Sequence, residues 1–131
     1  MKKSYDVVII GGAAIGSATA FFLSRDKAFS GSILVIEKDP SYRKCSTTLS
    51  LASIRQQFST PANILASAFG IDFIKKAPSE FGRLGDIGFK ESGYLIMASE
   101  DGTNALRANR EIQCSLGAKN VLLSPEEITQ R

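Results

Sequence analysis

The sequence predicts an α/β fold, and three features near the amino terminus support that prediction. Tyr5–Ile10 is a short, β-branched and almost continuously apolar run, which is typical of a strand buried on both faces of a parallel sheet. A glycine-rich turn and a helix of small and apolar residues at 15–24 follow it. Ser32–Glu37 is a second apolar run and predicts a second buried strand. Because parallel strands need a crossover connection, residues 5–37 predict a right-handed βαβ unit.

The middle of the chain is predicted to hold one loop and one long helix. The stretch 41–53 is polar and rich in Ser and Thr, which favours a loop. Thr60 and Pro61 suit the cap and the first position of a helix, and Pro78 is expected to end that helix. One broad apolar face is expected to be buried, formed by Ile64, Leu65, Ala68, Phe69 and Ile71.

The carboxyl-terminal part is predicted to begin with a β-hairpin. Gly88–Glu91 and Tyr94–Ala98 have the composition of two strands, and Ser92-Gly93 between them favours a turn. The further elements predicted in order are a helix over Thr103–Leu116 that ends at Gly117, a strand over Val121–Leu123, and a helix start with a capping box at Ser124, Pro125 and Glu127.

The composition narrows the classes of function. The chain has 131 residues, of which 44% are hydrophobic and 22% are charged, so it suits one folded domain. Its net charge is only +3 and its basic residues are scattered, which argues against a nucleic-acid-binding surface. The absence of histidine excludes a Ser-His-Asp triad and a histidine metal ligand within the chain. Cys45 and Cys114 lack metal-ligand spacing and predict reduced thiols in a cytoplasmic protein without a metal site, the alternative being a single disulfide between them.

The uncharged stretch 7–24 also resembles a secretory signal or a membrane span in its apolar content. Asp6 places a negative charge directly before this stretch, and Gly11, Gly12 and Gly16 interrupt it at turn-like spacing. A buried strand followed by a turn and a helix explains the pattern better. No stable insertion into a membrane is therefore expected.

The turn after the first strand matches a dinucleotide-binding fingerprint. That fingerprint is G-x-G-x-x-G between a strand and a helix, with an acidic residue about 20 residues further on. Gly11 and Gly16 occupy its outer glycine positions, and Ala13 occupies the middle one. Glu37, at the end of the second strand, can accept hydrogen bonds from a ribose and disfavours a 2′-phosphate. The pattern predicts a Rossmann-type nucleotide site for which NADP is a poor candidate; the alternative is a βαβ unit that binds no nucleotide.

Three stretches in this order resemble the D-amino-acid-oxidase-like (DAO) family of FAD-dependent oxidoreductases. They are Tyr5–Gly16 together with Glu37, then Ser46–Phe58, then Gly93–Ala98 followed by a helix. The glycine motif is shared by many flavin and NAD proteins, whereas the Ile54–Phe58 segment is more discriminating. The resemblance covers nearly the whole chain.

This resemblance implies FAD as the cofactor and a small amine or amino acid as the substrate, oxidised at the carbon next to its nitrogen. It also implies that Arg55 binds the substrate carboxylate through its planar guanidinium, the alternative being a surface or ion-pairing arginine. The residues implied at the cofactor are Gly11, Gly12, Ala13, Ala14, Ile15 and Gly16 along the pyrophosphate, Glu37 on the ribose, Lys38 near the adenine, and Thr48, Leu49 and Ser50 near the flavin.

Members of that family are considerably longer than this chain. The resemblance therefore implies an amino-terminal fragment, with an incomplete FAD-binding domain at 1–85 and the beginning of an α+β substrate domain at 86–131. Such a fragment is expected to be inactive alone, with the oxidase or dehydrogenase activity belonging to the full-length protein, and to associate with the missing remainder or with another subunit. Two other functions remain open: an NAD-binding dehydrogenase domain, and a non-catalytic assembly subunit that keeps the βαβ unit as a scaffold.

Overall fold

The computed structural model of the chain describes residues 4–130. It forms two compact units, the first ending at Ser53 and the second beginning at Ile54. The elements are β1 (Val7–Ile10), α1 (Ala14–Arg25), β2 (Ile33–Ile36), α2 (Pro61–Phe81), α3 (Thr103–Ser115) and α4 (Pro125–Thr129), with short 3-10 helices at Gly82–Gly85 and Glu100–Gly102.

The first unit is a βαβ arrangement, as predicted. β1 and β2 pair in parallel, with Val7 opposite Ile33 and Ile10 opposite Ile36, and α1 is the crossover between them. Both strands are shorter than the apolar runs that predict them. The fold class α/β is therefore confirmed for this part of the chain.

The two strands are not buried on both faces, so this detail of the sequence prediction is wrong for the described residues. Ile10 is 88% exposed and Val8 is 50% exposed, whereas the alternate residues of β1 are less accessible. The physical reason is that successive side chains of a strand point to opposite faces. α1 is the helix in contact with these strands, and it covers one face.

In the second unit, Pro78 lies inside α2 and does not end it, contrary to the sequence prediction. A proline removes one amide donor and strains the preceding turn, which usually stops a helix. Here the final turn is held by packing against the 3-10 helix Gly82–Gly85. Gly85 is buried so close to Ala77 that an added Cβ would lie 2.1 Å from the Ala77 carbonyl oxygen. The helix ends at Phe81 instead.

The predicted boundaries of the other helices are largely confirmed. Pro61 occupies the first turn of α2, although the Thr60 side chain makes no capping hydrogen bond. α3 ends at Ser115, and Gly117 follows with a left-handed φ of 90°. α4 begins with the predicted capping box, in which Ser124 and Glu127 satisfy each other's backbone amides at 3.3 and 2.7 Å.

The hairpin over Gly88–Glu91 and Tyr94–Ala98 and the strand over Val121–Leu123 are absent from the described residues, so these predictions are wrong here. All residues from Glu91 to Asp101 are exposed. A strand is stable only when a partner satisfies its backbone groups and covers one face, and the second unit provides neither.

Within the second unit, Gln113 of α3 is the only buried polar side chain of the described residues, at 5% exposure. Its amide nitrogen donates to the Phe58 carbonyl oxygen at 2.8 Å, and its oxygen accepts from the Asn120 side chain at 2.6 Å. These two bonds satisfy a buried amide that would otherwise be costly. They also fix the backbone of the segment that contains Arg55.

Candidate functional site

The turn between β1 and α1 has the geometry that the glycine positions predict. Gly11 adopts a φ of 98°, in the left-handed region that favours glycine, and its amide donates to the Ile36 carbonyl at 2.7 Å. A Cβ added to Gly16 would lie 1.8 Å from the Gly11 carbonyl oxygen and 3.2 Å from an Ile9 methyl group. Gly16 therefore allows α1 to approach the strand and the turn more closely than any side chain would permit.

The beginning of α1 offers unpaired amide donors. Its first residues, Ala14–Gly16, have no intrahelical acceptors for their amides, and the residue before them, Ala13, provides no side-chain cap. Ala14 and Ile15 are exposed, with Ile15 at 85%. An exposed, uncapped helix start with its positive dipole end suits an anionic ligand such as a diphosphate.

Glu37 faces this turn. Its Oε2 accepts the Gly12 amide at 2.8 Å, and its Oε1 accepts the Asp39 amide at 2.9 Å. An ionised carboxylate has about four acceptor positions. Two of them are therefore still available for further donors such as sugar hydroxyls.

The hydrogen bond from the Asp39 amide, followed by that from the Gly12 amide, lowers the pKa of Glu37 below its ordinary value of 4.5. A carboxyl group with a depressed pKa in the folded state stabilises the fold above its unfolded pKa, and this stabilisation is lost as the pH falls through the folded value. Glu37 is thus ionised at neutral pH and acts only as an acceptor.

This arrangement predicts that acid destabilises the protein partly through Glu37. We expect the contribution of the ionised Glu37 carboxylate to the free energy of unfolding to be constant above pH 4.5 and to decrease below it. Urea unfolding at neutral and acid pH should show a smaller loss on acidification for Glu37→Gln than for the wild type. An identical loss in both proteins would contradict the prediction.

Two side chains at the turn were not predicted from the sequence. The Ser17 hydroxyl donates to the Gly12 carbonyl at 2.5 Å. A Cβ added to Gly12 would be 2.9 Å from the Tyr42 hydroxyl oxygen, so this hydroxyl lies beside Gly12. Tyr42 is the only aromatic residue between Lys38 and Gln57. This was the one feature of the sequence that could have indicated a position for Tyr42 at the turn.

The loop after β2 carries the remaining cofactor residues implied by the sequence. Lys38 is exposed, and so are Thr48, Leu49 and Ser50, with Leu49 at 73%. The Thr48 hydroxyl lies 3.2 Å from the Cys45 sulfur, and this hydrogen bond lowers the pKa of the Cys45 thiol. All of these residues belong to the first unit and are accessible to a ligand.

Arg55 lies in the second unit and is held without an acidic partner. Its guanidinium lies over the Phe58 ring, 4.9 Å from the centroid, and its carbonyl accepts the Ser67 hydroxyl. Among residues 4–130, no carboxylate pairs with this guanidinium. The described part of the chain therefore contains no ion pair for Arg55.

Residues 4–130 lack two further features. No helix in this range is sufficiently long and apolar to cross a bilayer. The same range has no cluster of three or more His, Cys, Asp or Glu side chains arranged to bind a metal ion.

Comparison with known proteins identifies relatives over almost the whole chain. The DAO family, described as FAD dependent oxidoreductase, matches residues 6–131. The chain is 39% identical over 127 residues to "FAD-dependent oxidoreductase domain-containing protein 1 homolog" of Drosophila melanogaster, covering 96% of the chain and 24% of that protein. It is 39% identical over 132 residues to "FAD-dependent oxidoreductase domain-containing protein 1" of Bos taurus, covering 96% of the chain and 27% of that protein.

The protein of the same name from Xenopus laevis is 37% identical over 132 residues, covering 96% of the chain and 26% of that protein. The chain thus spans about a quarter of the length of the curated relatives that it matches. No solved structure matches it.

Proposed function

Because the chain belongs to the DAO family of FAD-dependent oxidoreductases, we propose that it forms part of an enzyme that oxidises small amines or amino acids. FAD is the cofactor of this family, which makes an NAD-binding dehydrogenase the weaker alternative. When bound, FAD supplies the acceptor for a hydride from the carbon next to the substrate nitrogen. The residues described above bind the cofactor and the substrate.

The geometry of the first unit fits the adenosine diphosphate half of FAD. Gly11 and Gly16 add no side chain at the turn, and the start of α1 is exposed and uncapped, so its amides can bind the diphosphate. Glu37 binds the ribose hydroxyls through its two remaining acceptor positions. Ala13 occupies the middle glycine position of the fingerprint and adds one methyl group there. We propose contacts of Lys38 with the adenine, and of Thr48, Leu49 and Ser50 with the flavin and ribityl chain.

One observation carries the proposed substrate class, namely the guanidinium of Arg55 without an acidic partner in the described chain. A planar guanidinium matches a carboxylate through two parallel hydrogen bonds. The Phe58 ring and the Ser67 hydroxyl hold Arg55 at its side chain and at its backbone, which reduces the entropy lost on binding. A substrate with both an amine and a carboxylate therefore suits this residue.

The proposal predicts that amino acids reduce the FAD of the purified full-length enzyme without oxygen, seen as loss of the visible flavin absorption. In Arg55→Ala, we expect the amino-acid concentration for half-maximal reduction to rise by about 10- to 100-fold, as loss of a charge-assisted hydrogen bond of about 1.5–3 kcal/mol implies. Amines without a carboxylate should be affected little.

Arg107→Ala provides the matched control, because Arg107 is also an exposed arginine of the second unit. It should leave the reduction unchanged. Equal effects of Arg55→Ala on substrates with and without a carboxylate would exclude the assigned role. FAD that no amine or amino acid reduces would instead favour the non-catalytic assembly subunit.

The exposed apolar segment of the second unit supports association with further polypeptide. Leu95 is 61% exposed and Met97 is 81% exposed, in a stretch without secondary structure. Large exposed apolar patches commonly mark interfaces. We propose that residues 86–131 begin the substrate domain, that residues 1–85 belong to the FAD-binding domain, and that the exposed segment pairs with the rest of the protein or with another subunit.

A further inference from the structure

Tyr42 and Glu37 both lie next to Gly12, at the end of the turn where the ribose is proposed to bind. The position of a Cβ on Gly12 would be 2.9 Å from the Tyr42 hydroxyl oxygen, 3.4 Å from Glu37 Cβ and 3.6 Å from a Val35 methyl group. The hydroxyl therefore fills the space beside the Gly12 backbone. Gly12 is buried at this point and cannot carry a side chain unless Tyr42 moves.

The backbone of Tyr42 is strained in a way that packing does not explain. Its φ of 55° lies in the left-handed region, which costs a residue other than glycine about 1–2 kcal/mol. Two turns maintain this conformation: the Tyr42 amide donates to the Asp39 carbonyl at 3.0 Å, and the Cys45 amide donates to the Tyr42 carbonyl at 3.2 Å. The side chain is nevertheless 37% exposed, so the strain is not balanced by burial in a core.

Strained residues of this kind are concentrated at ligand-binding positions, where the strain holds a side chain in the orientation that the ligand requires. An aromatic ring with one polar atom suits the face of a sugar, because the ring excludes water while the hydroxyl can hydrogen-bond. Tyr42 places its hydroxyl beside Gly12, whose amide donates to Glu37, so its ring is carried at the same end of the turn as the Glu37 carboxylate.

We propose that Tyr42 is a further residue of the adenosine site and that its ring covers the ribose bound by Glu37. The proposal rests on FAD as the cofactor and on the proposed assignment of Glu37 to its ribose. The hydroxyl lies against Gly12.

The test is a titration of the protein with ADP, which represents the adenosine diphosphate half of FAD. The chain has no tryptophan and three tyrosines, so tyrosine emission reports on Tyr42. We expect ADP to change this emission in the wild type and in Tyr94→Phe, but not in Tyr42→Phe. Tyr94 is a suitable control because it is 45% exposed and lies in the second unit.

A second variant separates binding from folding. Tyr42→Gly removes the ring and also relieves the left-handed backbone, so its thermal stability should equal or exceed that of the wild type. We expect it to bind ADP about tenfold more weakly, equivalent to about 1.4 kcal/mol. ADP affinity equal to that of the wild type in Tyr42→Gly, or an emission change that persists in Tyr42→Phe, would overturn the proposal.

Glu37→Gln distinguishes this proposal from the one on which it rests. Weaker ADP binding in Glu37→Gln together with unchanged binding in Tyr42→Gly would refute the role of Tyr42 alone. ADP binding that neither substitution alters, or a wild-type protein that binds no ADP, would refute both roles.

Discussion

Gly16→Ala is expected to destabilise the protein by about 3 kcal/mol and to abolish FAD binding, although it adds a single methyl group. Insertion of a methyl group into a packed site costs about 1–3 kcal/mol, and more where the backbone itself must move. At Gly16 the new atom would lie 1.8 Å from the Gly11 carbonyl oxygen, so α1 must shift away from the turn. That shift displaces the helix amides from the diphosphate. Denaturant unfolding and FAD titration measure the two effects.

Gly70→Ala makes the same chemical change within another helix. A Cβ at Gly70 has no heavy atom within 4 Å, so the substitution should stabilise α2 by about 0.5–1 kcal/mol through helix propensity alone. The opposite signs at Gly16 and Gly70 distinguish close packing from a general effect of glycine in helices. Wild-type stability in Gly16→Ala would mean that α1 does not approach the turn as described.

The elements predicted correctly from the sequence are those specified by local chemistry. The capping box at Ser124 needs only residues within one helical turn, and Gly117 ends α3 through its own backbone freedom. The βαβ unit was predictable for a related reason. Its turn, helix and second strand are adjacent in the sequence, and their order constrains the connection.

The strands predicted over Tyr94–Ala98 and Val121–Leu123 depend on partners, which composition cannot supply. An apolar extended segment becomes a strand only when another backbone satisfies its amides and carbonyls. Pro78 shows the converse, because packing of the final turn of α2 outweighs a local helix-breaking preference.

In the candidate site too, features that depend on residues close in the sequence were predictable, whereas features that depend on the folded arrangement were not. Gly11 and Gly16 were predictable because only glycine fits a left-handed turn and a close contact. The hydrogen bond from the Gly12 amide to Glu37 was harder to predict, because only the parallel pairing of β1 and β2 brings the two residues together. The position of Tyr42 was not predictable, because a left-handed residue within an irregular loop determines it.

Glu37 combines a structural task with a proposed binding task, and this combination makes its replacement informative. Glu37→Gln keeps the size of the side chain but replaces one acceptor oxygen with a donor nitrogen. At least one of the Gly12 and Asp39 amides then faces a weaker acceptor or a donor. The ribose hydroxyls also lose their charged acceptor, so binding should be affected more strongly than folding.

We expect Glu37→Gln to weaken FAD binding on the order of 100-fold, which corresponds to about 2.7 kcal/mol and to the loss of charged hydrogen bonds. Asp39→Asn removes the same charge from the same loop, but Asp39 Oδ1 accepts the amide and hydroxyl of Ser41 at 3.0 and 2.6 Å. Its FAD affinity should therefore remain close to that of the wild type. Equal losses in the two variants would show that the net charge of the loop, and not a contact of Glu37 with the ribose, governs binding.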